Sequence, residues 1–221
     1  MKRSIKETAV RLLILLAGLT IAHFGVTLFI FSNQGTDPFN VLVQGVFRSL
    51  DKVLDWSIIT HGNIHMTLCI IIMAVLLFVD KSYIKIGTIV CMFLGGPIID
   101  MFTVILQPLF TQELSIITAI ILLVIACIIL AFGMTIVIKS DAGTGPNDLV
   151  SVALSDKLRK KFGIVRIVTD ACFVLVGFLL GGTFGIGTLV CVLLIGPVAD
   201  IFMPIQEKWI NKVLELINKN K

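Results

Sequence analysis

Phe24–Leu42 reads FGVTLFIFSNQGTDPFNVL, and Phe132–Val150 reads FGMTIVIKSDAGTGPNDLV. The two stretches align without a gap. Phe24/Phe132, Gly25/Gly133, Thr27/Thr135, Ser32/Ser140, Gly35/Gly143, Thr36/Thr144 and Pro38/Pro146 are identical pairs. Further along, IGTIVCMFLGGPIIDMF from Ile86 aligns with IGTLVCVLLIGPVADIF from Ile186, with 10 of 17 positions identical, among them Gly96/Gly196, Pro97/Pro197 and Asp100/Asp200. A bias toward Ile, Leu and Val cannot place Gly, Thr, Pro and Asp in matching slots, so the chain is an internal duplication.

The setting of the duplication follows from composition. Of 221 residues, 57% are hydrophobic and 14% charged, and the mean hydropathy is +1.05. A soluble domain is about 25% charged. Six apolar runs approach the roughly 20 residues needed to cross a bilayer: Ala9–Phe31, Ile64–Val79, Ile84–Leu106, Leu114–Ile138, Ile164–Leu180 and Ile186–Pro204. The first reaches about 34 Å as a helix, enough to cross with some tilt and too long for a signal peptide. The expected fold is an all-α polytopic membrane protein.

Charge sets the expected orientation. With the N-terminus inside, the cytoplasmic pieces hold Lys2, Arg3, Lys6 and Arg11, then Lys81 and Lys85. The next inside segment holds Lys139, Lys157, Arg159, Lys160, Lys161 and Arg166, and the C-terminal end holds Lys208, Lys212, Lys219 and Lys221. These are 16 of the 18 basic residues, leaving Arg48 and Lys52 outside, a strong positive-inside bias. The net charge of +4 is therefore read as a topology signal and not as a nucleic-acid footprint. Each copy holds three spans, an odd number, so residues 1–110 and 111–221 form two repeats of inverted topology. That arrangement is frequent in secondary transporters.

After the first span of each copy comes a Gly-Thr-x-Pro turn and a short helix, expected over Pro38–Leu50 and Pro146–Leu158. Asp37 can cap the first, with Pro38 and Pro146 at the position where a missing N–H costs nothing. About 13 residues reach only some 20 Å, too short to span. Such a helix is either re-entrant, with its N-terminus aimed into the membrane, or interfacial. In the first case Thr36, Asn40, Thr144, Asn147 and Asp148 face a substrate site. Asp37 and Asp148 then argue against an anion, because they already occupy the helix donors.

Gly-Pro-x-x-Asp recurs in the third and sixth spans. Pro97 and Pro197 each remove a helical hydrogen bond, so Gly96, Pro97, Gly196 and Pro197 are expected to interrupt their helices. Asp100 and Asp200 follow one turn later. A carboxylate at bilayer depth costs about 2.5–3.5 kcal/mol on insertion scales, which makes both candidates for binding a cation or proton; the alternative is that each braces its own repeat. His23, opposite Ala131 in the repeat, breaks the symmetry and is either substrate-facing or a packing residue. Arg166 and Asp170 read as an i,i+4 ion pair. His61 and His65 without a third ligand are weak evidence for metal, and the five cysteines, all within spans, read as small packing residues. No metal or cofactor is expected. The end from Pro204, with Ile205, Trp209, Val213, Leu216 and Ile217 on one side, reads as an amphipathic helix on the cytoplasmic surface.

At Ser140–Ser155, SDAGTGPNDLVSVALS, the chain resembles the YczE/YyaS/YitT family of bacterial integral membrane proteins. Phe132, Gly133, Gly143, Gly145, Pro146 and Asp148 match that family's pattern, and Asn147 stands where it has tryptophan. The resemblance implies a bacterial inner-membrane protein of this length with no established substrate. The expected function is a small secondary transporter or permease moving a small solute or ion at the repeat interface, with the bilayer and at most a second copy of the chain as partners. The alternatives are the substrate-binding membrane subunit of a vitamin transporter and a non-transporting scaffold or immunity protein. An intramembrane aspartyl hydrolase would need Asp100 and Asp200 on one water, which an inverted repeat places toward opposite faces. No enzyme motif is present.

Overall fold

The computed structural model describes residues 4–51, 61–112 and 114–219. Of the charges counted above, Lys2, Arg3, Lys52, Lys221 and the side chain of Lys219 lie outside the described residues. The elements are α1 (Ile5–Phe31), α2 (Pro38–Asp51), α3 (His61–Asp80), α4 (Ile86–Leu106), α5 (Ile116–Ser140), α6 (Pro146–Leu158), α7 (Phe162–Leu179) and α8 (Ile186–Lys219), with short 3-10 turns at Lys81–Tyr83 and Gln107–Leu109. No strand occurs among the described residues. Six helices (α1, α3, α4, α5, α7 and α8) are long and apolar enough to cross a membrane, at the places where the apolar runs put them.

The core is the crossing of α1 with α5, the most extensive helix contact in the molecule. The two lie antiparallel, Gly18 against Ile136 and Gly25 against Ala126 and Leu130. A Cβ on Gly133 would stand 2.2 Å from the Ala22 nitrogen, so the helices touch backbone to backbone. Lipid tails are as apolar as leucine, and helix association in a membrane relies on this close van der Waals packing. Thr27 and Thr135 are fully buried in the same seam, each donating its hydroxyl to its own helix, at His23 O (2.9 Å) and Phe132 O (2.8 Å). α8 packs on the other side of α5, with Cys191, Ile195 and Ala199 joining Leu123, Cys127 and Met134 in the main apolar cluster.

The repeated turn explains how α2 and α6 are aimed. Asn33 and Asp141 adopt left-handed φ of 51° and 56°, and Gly35 and Gly143 follow at 131° and 133°, a region only glycine enters freely. Each turn then docks on the start of a distant helix. Gly187 N donates to Gln34 O and Gly87 N donates to Ala142 O, both at 2.8 Å. From there α2 packs on α7 and α3, and α6 packs on α3 and α7.

Two expectations change. α4 runs through Pro97, and α8 through Pro197 and Pro204, so Gly96–Pro97 and Gly196–Pro197 do not break their helices. Pro97 and Pro197 are exposed, and within spanning helices neighbouring groups re-satisfy the backbone that a proline frees. The C-terminal segment is not a separate surface helix. It continues α8, and Ile210 and Leu214 are buried against Ile14 and Ile136 of α1 and α5. α2 and α6 bury Phe39, Val41, Val43, Pro146 and Leu149 against their neighbouring helices. By contrast α3 and α4 are peripheral, with Ile70, Val75, Phe78, Phe93 and Val104 about half exposed or more. Apolar patches of that extent are rare on soluble monomers.

Candidate functional site

The two short helices begin at the same place. Asp37, Phe39 and Asn40 of the first turn and Thr144–Asp148 of the second line a central cavity of about 370 Å³, a volume in the usual range for small-molecule sites. His23 and Val26 of α1, His65, Met66 and Cys69 of α3, Cys91, Met92, Gly95 and Ile99 of α4, Met134 of α5, Arg166 of α7 and Ile195 of α8 complete the wall. Residues of both sequence copies therefore face one space.

The α6 side of the cavity is charged. Arg166 Nη1 lies 2.5 Å from Asp148 Oδ1 and its Nε lies 2.7 Å from Asp170 Oδ2. Arg166 is 7% exposed and Asp170 1%, so this is a buried carboxylate–guanidinium–carboxylate chain. The i,i+4 pair read from the sequence is present, and the bond to Asp148 joins it to the start of α6. Ser151 and Thr169 hydroxyls, 2.6 Å apart, pin α6 on α7 beside it. Removing one partner of such a group leaves an uncompensated buried charge, whereas replacing the whole group by apolar residues is often neutral.

The α2 side uses the same positions without charge. Counting from each helix start, Asn40 on α2 stands where Asp148 stands on α6; His65 and Cys69 on α3 stand where Arg166 and Asp170 stand on α7. His65 Nδ1 lies 3.9 Å from Cys69 Sγ, and its ring meets Phe39 edge-on at 5.3 Å. Asp37 caps α2 as expected, accepting from Asn40 N at 3.1 Å and from the Asn40 side-chain amide. α6 has Gly145 at its N-cap and no side-chain cap. Asp37, His65, Arg166 and the three methionines, Met66, Met92 and Met134, were not singled out as site residues in the sequence. The only available signal was the helix-start register, because these positions share no identical residue between copies.

Of the residues that were singled out, the structure brings His23, Asn40, Thr144, Asn147, Asp148, Gly96 and Pro146 to the cavity. Gly95 rather than Gly96 faces His23; a Cβ there would lie 2.7 Å from His23 Nε2. Thr36 turns away, its carbonyl accepting from Thr188 Oγ1 at 2.5 Å. Asp200 is also outside, its Oδ1 accepting from Gly163 N at 2.8 Å to cap α7, which is the bracing role. Asp100 is exposed on α4. Pro38, Pro97, Gly196 and Pro197 do not line the cavity.

A second cavity of about 370 Å³ lies beyond Thr144, which lines both. Ion pairs cross its mouth. Asp141 pairs with Lys85 and lies 3.8 Å from Arg11; Arg11 also donates to Ser140 O at 2.9 Å. Lys139 pairs with Glu207 at 2.6 Å. A third cavity, of about 460 Å³, lies at the other end of α1, where Asn33 replaces Asp141 and the lining carries no charged side chain among the described residues.

A family model described as a family of unknown function (DUF6198) matches residues 9–204. The chain belongs to this family. Similar proteins include an uncharacterized protein of Haemophilus influenzae, 27% identical over 192 residues, covering 87% of this chain and 83% of that one. Two more are from Bacillus subtilis. The uncharacterized protein YyaS is 25% identical, covering 86% of this chain and 91% of its own length. The uncharacterized membrane protein YczE is 25% identical, covering 93% and 91%. The kinship with YczE and YyaS that the glycine-rich turn implied therefore holds over most of the chain, and this DUF6198 protein is a membrane protein. No solved structure matches it.

Proposed function

We propose that this DUF6198 protein is a small secondary transporter of the bacterial inner membrane, with both termini cytoplasmic, that moves a small solute through the central cavity. The observation that carries this reading is the meeting of both short-helix N-termini, one from each copy, at a single cavity walled by six other helices. Membrane transporters built from inverted repeats place their sites at the repeat interface, against interrupted or short helices. The antiparallel α1 and α5 and the exchanged docking of α2 on α7 and α6 on α3 support that symmetry. No catalytic step is proposed, since Asp100 and Asp200 stand apart.

The same reading gives Asp100 and Asp200 a part in alternating access. α7 packs along α8 and is capped by Asp200, whereas α3 and α4 share at most a marginal backbone contact among the described residues and Asp100 is left exposed. With the charge-derived orientation, the closed pair and the ion-paired mouth face the cytoplasm and the open pair faces outward. The opposite state would have Asp100 cap α3 near Gly62 and Asp200 release Gly163. The test is uptake by proteoliposomes from fractionated metabolite pools under an imposed proton or potential gradient. Saturable uptake above protein-free vesicles supports the reading; none from any pool overturns it.

A further inference from the structure

We propose that the central cavity binds a protonated amine with an apolar body, a reading that deepens the solute-site assignment above and rests on it. The walls hold the carboxylates of Asp37 and Asp148, with Asp170 directly behind, against one guanidinium, Arg166. With neutral histidines the sum is −2, and the two helix N-termini return only about half a charge each. Asp148 and Asp170 share Arg166. Asp37 accepts only from the Asn40 backbone and amide and has no cationic partner among the described residues.

A second, independent observation is Thr144. It is 3% exposed, lines the cavity, and its hydroxyl has no hydrogen-bond partner among the described residues. Buried polar atoms in native structures are nearly always paired, so an unpaired hydroxyl on a residue that lines the cavity points to a partner supplied by a ligand. An ammonium offers three donors and no acceptor, which suits carboxylate, hydroxyl and amide oxygens. An anion would meet a negative wall. The remainder of the space, at Phe39, Met66, Met92 and Ile99, is apolar, and unbranched thioethers adapt to bodies of varied shape. Ammonium rather than quaternary ammonium follows from the lining, which offers acceptors and a single phenyl ring instead of a cage of Trp, Tyr and Phe.

The probes are cyclohexylammonium, cyclohexanol and cyclohexanecarboxylate, three molecules of similar shape with charges +1, 0 and −1. They are added to the full-length protein in detergent at pH 7, with binding read by calorimetry and thermal shift. Cyclohexylammonium is expected to bind at least tenfold more tightly than the alcohol, and the carboxylate not at all. Asp37→Asn, which keeps a good N-cap, is expected to weaken amine binding at least tenfold. Thr144→Val removes a hydroxyl with no protein partner, so the empty variant should melt no lower than the parent while binding the amine several-fold more weakly. If Asp37→Asn does not fold, Thr144→Val carries the same test. Equal binding of carboxylate and amine, or parental amine affinity in the folded variants, overturns the proposal. Amine binding without flux into proteoliposomes supports this site and counts against transport. Flux of another solute with no amine binding leaves transport standing and overturns the amine site.

Discussion

In the second half of the molecule α7 lies along α8 so closely that a Cβ on Gly196 would stand 2.4 Å from Gly163 O, and Asp200 caps α7 at Gly163 N. In the first half the aligned Gly96 has nothing within 4 Å of its Cβ position, and the aligned Asp100 is exposed. The Asp148–Arg166–Asp170 chain joins α6 to α7, and at the matching positions Asn40, His65 and Cys69 carry no ion pair. Two copies of one sequence plan have thus taken two packings. Within the shared Gly-Pro-x-x-Asp, the glycine and the acid pack and cap in one half, whereas in the other the glycine meets nothing and the acid is exposed.

The largest effect should come from breaking the charged chain. Arg166→Met leaves Asp148 and Asp170 unpaired inside the bundle and is expected to cost about 3–5 kcal/mol; His65→Met should cost under about 1 kcal/mol. Denaturation of the purified variants in detergent checks this, and equal losses would mean that the two sides are equally dependent on their central residue. Next come the glycines. Gly196→Ala is expected to cost about 1–3 kcal/mol by overpacking against Gly163. Gly96→Ala should be neutral or slightly stabilising, since alanine is the better helix former by about 1 kcal/mol. A loss of the same size at Gly96 would show that α3 and α4 also pack tightly.

A smaller difference is expected at the acids. Asp200→Ala should cost about 1 kcal/mol through loss of the α7 cap, while Asp100→Ala should lie within about 0.5 kcal/mol of the parent. In the transport reading both should slow exchange between states, so proteoliposome flux, not melting, is where Asp100 would register. The smallest effect should be at Lys139–Glu207. Glu207→Gln removes an exposed ion pair worth at most about 1 kcal/mol; a stability change well beyond that, or one indifferent to salt, would mark the rim of the second cavity as more than a surface contact.

Much of this architecture is written in the chain itself. The six apolar runs became α1, α3, α4, α5, α7 and α8, because in lipid every backbone group must be satisfied within its own segment and a helix is the only open solution. Pro38 and Pro146 began short helices where the Gly-Thr-x-Pro turns placed them, and Asp37 capped the first, because these are local effects of φ restriction and side-chain reach. Apolar periodicity read the segment after Pro204 as a helix with Ile205, Trp209, Val213, Leu216 and Ile217 on one side, but Ile205, Trp209 and Leu216 are exposed and the buried face is formed by Gln206, Ile210 and Leu214. The local pattern could not tell a surface helix from the continuation of α8, because the face that packs is chosen by the distant helices it meets.

The site was legible only in part. Asn40, Thr144, Asn147 and Asp148 stood out because they lie at the Gly-Thr-x-Pro turns and the first turn of the helices that follow, and they do line the cavity. Arg166 did not stand out beyond its own helix, because its bond to Asp148 joins residues 18 apart through a packing contact that leaves no spacing rule in the sequence. Asp100 and Asp200 were indistinguishable by sequence. Hydrophobic pattern, charge bias and turn chemistry act within a few residues and determined the helices, their starts and their expected orientation. Which acid finds a backbone donor depends on the approach of α8 to α7 and the separation of α4 from α3, and which hydroxyl is left unpaired among the described residues depends on how distant helices meet, so only the tertiary structure decided them.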